Sequence, residues 1–133
     1  MNIRTTIFAT GLCLASTAVM AGPKEDVTAA TTKWGEVLAQ QNPDTVTALY
    51  ARDGVLWGTL SPTIRSGPEA IRAYFVAAFG ALPQIKVSFG EQLVRVYGNT
   101  AVNSGSYTFS YVKDGDAWMI VDHHSSSVPA PSR

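Results

Sequence analysis

Gly67-Pro68-Glu69-Ala70-Ile71-Arg72-Ala73-Tyr74-Phe75-Val76-Ala77-Ala78-Phe79-Gly80-Ala81-Leu82-Pro83 separates two halves of this chain that read differently. Within it Ile71, Tyr74, Phe75, Ala78, Phe79 and Leu82 recur at i, i+3, i+4, i+7, i+8 and i+11, one apolar face of an α-helix. Pro68 suits the first helical turn, Glu69 complements its dipole, and Pro83 stops the helix. Before this stretch the pattern is mostly helical. Val27, Ala30, Trp34, Val37 and Leu38 line one face of a first helix opened by Pro23, and Val46, Leu49 and Tyr50 one face of a short second helix. Asn42-Pro43-Asp44 opens that second helix and Asp53-Gly54 closes it. Residues 55–60 and 63–66 then read as a strand and its short return across Ser61-Pro62. After Pro83 only strand signals follow: residues 85–97 with a bulge at Gly90, a turn at Gly98-Asn99, residues 100–113, a hairpin at Asp114-Gly115, and residues 117–126. Helices gathered onto one face of an antiparallel sheet make an α+β domain.

The chain has 133 residues, 46% apolar and 15% charged, with 10 basic and 10 acidic side chains. That length suits a single domain. A formal charge of zero argues against binding nucleic acid, which calls for a basic excess. Arg4, an uncharged run over residues 5–22 and the small residues of Val19-Met20-Ala21 read as a secretory signal cleaved after Ala21. Bulky Leu12 ahead of Cys13 argues against a lipoprotein. Loss of residues 1–21 removes Arg4 and the single cysteine, leaving a net charge of −1 and a domain, residues 22–133, that enters an oxidising compartment without disulfides. No apolar run reaches the roughly 20 residues that span a bilayer, so no membrane partner is expected of the mature form.

Three landmarks carry a family resemblance: Asp44-Thr45-Val46-Thr47-Ala48-Leu49-Tyr50-Ala51-Arg52-Asp53-Gly54-Val55-Leu56, then Arg65-Ser66-Gly67-Pro68-Glu69-Ala70-Ile71, then Trp118-Met119-Ile120-Val121-Asp122-His123-His124-Ser125-Ser126. With the element order, they resemble the nuclear transport factor two-like superfamily. The closing landmark is similar to secreted SnoaL-like proteins of the SgcJ/EcaC group and to the association (hub) domain of calcium/calmodulin-dependent protein kinase. The resemblance implies a cystatin-like cone, a curved antiparallel sheet covered by three helices from the first half of the chain, with a pocket inside. The family pattern has two long strands between the Gly98-Asn99 turn and the last strand, and here only residues 100–113 lie there. At about 3.3 Å per residue they would span roughly 46 Å, against about 20 Å for an ordinary strand. Either the stretch bends sharply at Gly105, or two strands are fused and the sheet lacks one.

Asp122-His123-His124 is the one cluster of titratable groups. Strand neighbours face opposite ways, so the two histidines cannot share a metal, and no third ligand completes a site. Regular alternation places Asp122 and His124 on the face of Trp118 and Ile120, where the carboxylate would orient an imidazole general base, or the pair would cap the sheet or meet a second subunit. There is no Gly-x-Ser-x-Gly elbow and no phosphate-cradling glycine loop, and nothing marks a flavin or nicotinamide site, so no cofactor is expected. The resemblance places Trp57, Tyr74, Asn103, Tyr107 and His124 inside the cone, with Tyr107 as a donor to an oxyanion, or else as aromatic filling. Arg72 and Arg95 are either partners for a ligand carboxylate or exposed charge. The row Tyr107, Phe109, Tyr111 lines one sheet face; apolar residues on the other face would call for cover by a second copy.

Three functions are consistent with this sequence. The first is a secreted, self-associating domain that holds a small apolar or carboxylated ligand. The second is an isomerase or dehydratase using Asp122 and His124 as acid and base with Tyr107 as electrophile, and the third an oligomerisation module whose cone is plugged by Trp57, Tyr74 and Tyr107. No kinase domain or calmodulin-target helix is present to carry over the kinase connection.

Overall fold

The computed structural model describes residues 21–127. Apart from Ala21, the leader expected over residues 1–21 lies outside the described residues, as do residues 128–133. The elements run α1 (Pro23–Ala39), α2 (Pro43–Thr47), β1 (Tyr50–Trp57), β2 (Arg65–Ser66), α3 (Gly67–Ala81), β3 (Leu93–Tyr97), β4 (Thr100–Ser104), β5 (Tyr107–Asp114) and β6 (Ala117–Ser125). One curved, unclosed sheet carries all six strands in the order β2-β1-β6-β5-β4-β3. This is the α+β architecture expected, with all three helices ahead of β3, although α3 lies just past the midpoint of the chain and not in its first half.

The helices start as their residues dictate. The Asn42 side chain accepts from the backbone N–H of Asp44 (2.9 Å) and Thr45 (3.2 Å), capping α2 ahead of Pro43. Gly67, at φ +79°, turns the chain from β2 into α3 through the left-handed region that glycine enters without penalty. The stripe of α3 buries Ile71, Phe75 and Ala78, and α1 buries Val27, Thr31, Trp34, Val37 and Leu38. Helix α1 lies across β3, β4 and β6, and α3 lies on β1 and β2. The row Tyr107, Phe109, Tyr111 faces these helices. Phe109 and Tyr111 are fully buried, so this row forms the core.

The sheet departs from the sequence pattern in four places. Residues 100–113 are two strands, broken at Gly105-Ser106 and paired antiparallel from Thr100↔Val112 to Asn103↔Phe109, so the β3–β6 meander is complete and no strand is missing. Beside that meander β1 runs parallel to β6, the one parallel pair in an otherwise antiparallel sheet. Strand β1 begins at Tyr50, and Asp53-Gly54 falls at an irregularity inside it rather than at the end of a helix. A side chain at Gly54 would lie 2.9 Å from the Ala51 carbonyl oxygen and 3.0 Å from that of Ile120, so glycine is required by the close approach of the backbones. Residues 85–92 join no strand, and Gly90 is not a bulge. Ile85, Val87 and Phe89 still alternate inward and pack on the core, which accounts for their strand-like pattern without any ladder.

Phe89 and Val87 press against α1 at Gly35, where an added methyl group would sit 2.9 Å from the Phe89 ring. Alanine in a helix interior ordinarily gains about 1 kcal/mol over glycine. Here Gly35→Ala should instead destabilise the fold by about 1–3 kcal/mol, because Phe89 is held by Trp34, Tyr107 and Phe109 and cannot step aside. Urea denaturation compares the two proteins; a more stable variant would contradict this packing.

Candidate ligand cavity

Strand β6 carries the centre of the site, and its pairing with β5 decides which side chains enter. Ser110 pairs with Asp122 and Tyr111 with Ile120, so Val121 stands unpaired as a β-bulge. Trp118 and Ile120 point inward before it. After it the alternation is shifted by one, so His123 and Ser125 point inward while Asp122 and His124 are exposed. The expectation that Asp122 and His124 share a face with Trp118 and Ile120 is therefore corrected: they lie on the outer face of the sheet. Trp57 is outside as well, 46% exposed and stacked on His124 at 6.0 Å between centroids. Tyr107 lies on the inner face, so Asp122, His124 and Tyr107 do not converge within one chain.

His123 is 2% exposed and held on every side. The Phe109 ring stacks on it at 4.2 Å and Trp34 meets it edge-on at 4.8 Å. The Tyr50 hydroxyl lies 2.7 Å from Nδ1, and Trp34 Nε1–H donates to the same hydroxyl oxygen at 3.2 Å. An indole nitrogen only donates, so the hydroxyl oxygen accepts from Trp34 and its hydrogen goes to His123 Nδ1. Nδ1 is then the acceptor and the ring proton sits on Nε2. The other tautomer would leave both the hydroxyl hydrogen and Nε2 unpaired. Burial pushes the imidazole down to about 3, and the neighbouring His124 adds to the effect, so the ring is neutral at physiological pH. Tyr50 is pushed well above the usual tyrosine range, by burial first, and stays protonated. His123 Nε2 has no hydrogen-bond partner among the described residues.

His123 lines a cavity of about 210 Å³ between the sheet and the helices. Leu56, Phe75, Ala78 and Val87 make apolar wall, Tyr74 and Tyr107 contribute ring surface, and Ser125 follows His123 along β6. Leu60, Leu82 and Lys86, all exposed, mark the mouth. Lys86 is the one charged residue of the lining, which includes no carboxylate. Gly58 lets Tyr74 take its place in the wall: a side chain there would collide with the phenol, whose oxygen accepts from Leu60 N at 3.5 Å.

Of the residues expected in the pocket, Tyr74 and Tyr107 line it. Asn103 is buried but lies outside the lining, donating to Thr31 Oγ1 (2.8 Å) and Gln92 Oε1 (2.6 Å); Tyr111 shares the Thr31 hydroxyl at 2.7 Å. Arg72 bridges Asp44 at 2.6 Å on the surface, and Arg95 bonds Ser104 on the outer face. Sequence reasoning missed His123, Tyr50 and Trp34 as a unit. The paired histidines were the available signal, and the bulge at Val121 made the choice between them. Among the described residues no group of three or more His, Cys, Asp or Glu side chains could hold a metal ion.

The sequence profile of the SnoaL-like domain matches residues 31–125. A Xanthomonas campestris protein named for the calcium/calmodulin-dependent protein kinase II association domain is 31% identical, with a TM-score of 0.73 over 86% of this chain and 94% of that one. A Streptomyces avermitilis protein, named for a dehydratase of the nuclear transport factor two-like (NTF2-like) family, is 20% identical, with a TM-score of 0.67 over 80% and 96%. A Parabacteroides distasonis protein named for ketosteroid isomerase is 22% identical, with a TM-score of 0.66 over 80% and 89%. At these two lower identities the likeness shows the fold alone. Among curated proteins, none matches the chain.

A histidine kept neutral by burial binds fewer protons folded than unfolded, so stability falls with pH below its unfolded value of about 6.5 and keeps falling toward about 3. In that window wild type should lose up to about 1.4 kcal/mol per pH unit more than His123→Phe. Urea melts from pH 7 to pH 4 measure the two slopes; parallel slopes would show that His123 titrates folded as it does unfolded.

Proposed function

The chain belongs to the SnoaL-like domain family, and from that premise we propose that it is a small-ligand-binding domain that self-associates and works outside the cytoplasm after losing residues 1–21. The observation that carries the ligand reading is the mostly apolar cavity of about 210 Å³ between the sheet and the helices, with His123 and Ser125 among its lining residues. Such a cavity suits a small apolar or carboxylated molecule whose apolar body it would remove from water. Tyr74 and Tyr107 serve as walls in this reading, where a purely structural module would need them as a plug.

Self-association rests on the outer face of the sheet, which none of the helices among the described residues covers. Trp57, Leu93 and Tyr97 are 46%, 62% and 61% exposed there, and Val55, Val102 and Val112 are only half-buried beside them. With few charges to solvate it, such a face is best covered by a second copy.

Three experiments test these readings. Fluorine NMR of 4-fluorotoluene should show broadening by the wild-type protein and none by Ala78→Phe, which fills the cavity while leaving the outer face alone; equal broadening would remove the cavity from consideration. The protein recovered after export should begin at Gly22 by N-terminal sequencing and sediment as a dimer or larger at micromolar concentration, and Trp57→Asp should shift it toward monomer. A wild-type monomer would overturn the assembly reading, and a retained leader the export reading.

A further inference from the structure

We infer that the ligand is an anionic amphiphile, a small carboxylic acid held with its apolar body in the cavity and its carboxylate at the mouth, between Lys86 and Arg65. This rests on the proposal that the cavity is a ligand site, and adds the class of ligand and the way round it sits.

The cavity and its mouth differ in character. Leu56, Phe75 and Val87 keep the interior apolar, and Lys86 is the one charged residue of the lining. A second depression adjoins the cavity along α3, shares Leu60, Tyr74 and Ala78 with it, and has Arg65 as its one charged residue. No carboxylate lines either depression. Two cations therefore flank the wall that Leu60 and Tyr74 form at the opening.

Neither cation is neutralised among the described residues, where the one ion pair is Arg72 with Asp44. Arg65 is half-buried and fixed: its Nε donates to Ser61 Oγ at 3.0 Å, and that hydroxyl donates to Thr63 O at 2.6 Å. Its terminal nitrogens are neither hydrogen-bonded nor buried among the described residues, so the guanidinium fork is open to a carboxylate. Burial raises the Tyr74 phenol above its usual range, and Arg65 lies close enough to oppose that with its charge. Lys86 is exposed and brings a second positive charge on a flexible stem. Helix α3 also ends here, with Ala81 lining one depression and Leu82 the other. The partial negative charge of a helix C-terminus is about half a unit, less than two full positive charges.

The volume sets the body. A dry cavity of about 150 Å³ takes benzene, so about 210 Å³ takes one ring with a short stem. A carboxylate drawn inside would lose its hydration at a cost of several kcal/mol. Left at the mouth, it keeps part of its hydration and meets both cations.

Three probes share one body and differ in charge at pH 7: 3-phenylpropanoate, 3-phenylpropan-1-ol and 3-phenylpropylamine. Titrated into the purified protein at low salt and read by calorimetry, the acid should bind about tenfold tighter than the alcohol, with the amine weakest, since exposed ion pairs are individually weak and two act together. Added sodium chloride, about 0.5 M, should shrink that preference. Lys86→Gln combined with Arg65→Gln should bring the acid down to the affinity of the alcohol and leave the alcohol unchanged. Acid and alcohol binding equally, the amine binding tightest, or a preference that survives salt or the double variant would each overturn the anionic class and leave the ligand site standing. Acid binding undiminished in Ala78→Phe would place the acid on the surface and overturn the pose. Failure of all three probes to bind would overturn both this inference and the ligand site. Should the double variant not fold, Lys86→Glu at its exposed position decides alone: it should weaken the acid by about threefold or more relative to the alcohol, and an equal effect on both overturns the inference.

Discussion

One unpaired residue in the last strand governs what this domain can hold. Val121 has no partner on β5, and the strand beyond it is offset by one position relative to the strand before it. Because successive side chains on a strand alternate faces, that single extra residue turns His123 and Ser125 toward the helices and sends Asp122 and His124 to the outer face. The bulge lies where β6 also pairs with β1, and β1 is irregular at the same level, with Gly54 drawn against the Ile120 carbonyl. Disturbing either would exchange a buried neutral imidazole for a buried carboxylate, which the surrounding aromatic rings could not solvate.

The energetics of the interior follow from that choice. A charged group in this aromatic nest would pay a large desolvation cost, so the fold keeps its inward histidine and its tyrosines uncharged. Most of the interior polar groups join two separate hydrogen-bonded chains, Trp34–Tyr50–His123 beside the cavity and Thr31, Tyr111, Asn103 and Gln92 beneath α1, while Asn103 Oδ1 and Trp118 Nε1 stay unpaired among the described residues. Each joins a helix to strands far off in sequence, so each specifies how α1 sits on the sheet as well as satisfying its own donors. The first chain ends at His123, whose Nε2 has no hydrogen-bond partner among the described residues.

Much of the fold was legible. The stripe from Ile71 to Leu82, the cap at Asn42 and the turns at Gly98 and Gly115, both at positive φ, are local features that short-range physics imposes. The two strands within residues 100–113 were legible only as a length too great for one strand, because Gly105-Ser106 is a weak turn signal. Residues 85–92 misled in the other direction: Ile85, Val87 and Phe89 alternate because one side meets the core, and alternation reports burial rather than pairing. The site was half legible. Tyr74 and Tyr107 were expected in the wall and are there, whereas Trp57 and His124 were expected inside and stack on each other outside.

By itself the sequence determined the α+β class, the order of the elements, the three covering helices and the presence of a histidine pair on the closing strand, since each is set by contacts a few residues apart. Only the tertiary structure decided which of the two histidines is buried, that Asn103 belongs to a structural network rather than to the cavity, and that β1 lies parallel to β6. Those outcomes depend on register between strands distant in sequence, and register is an energy of the assembled sheet that no local pattern encodes.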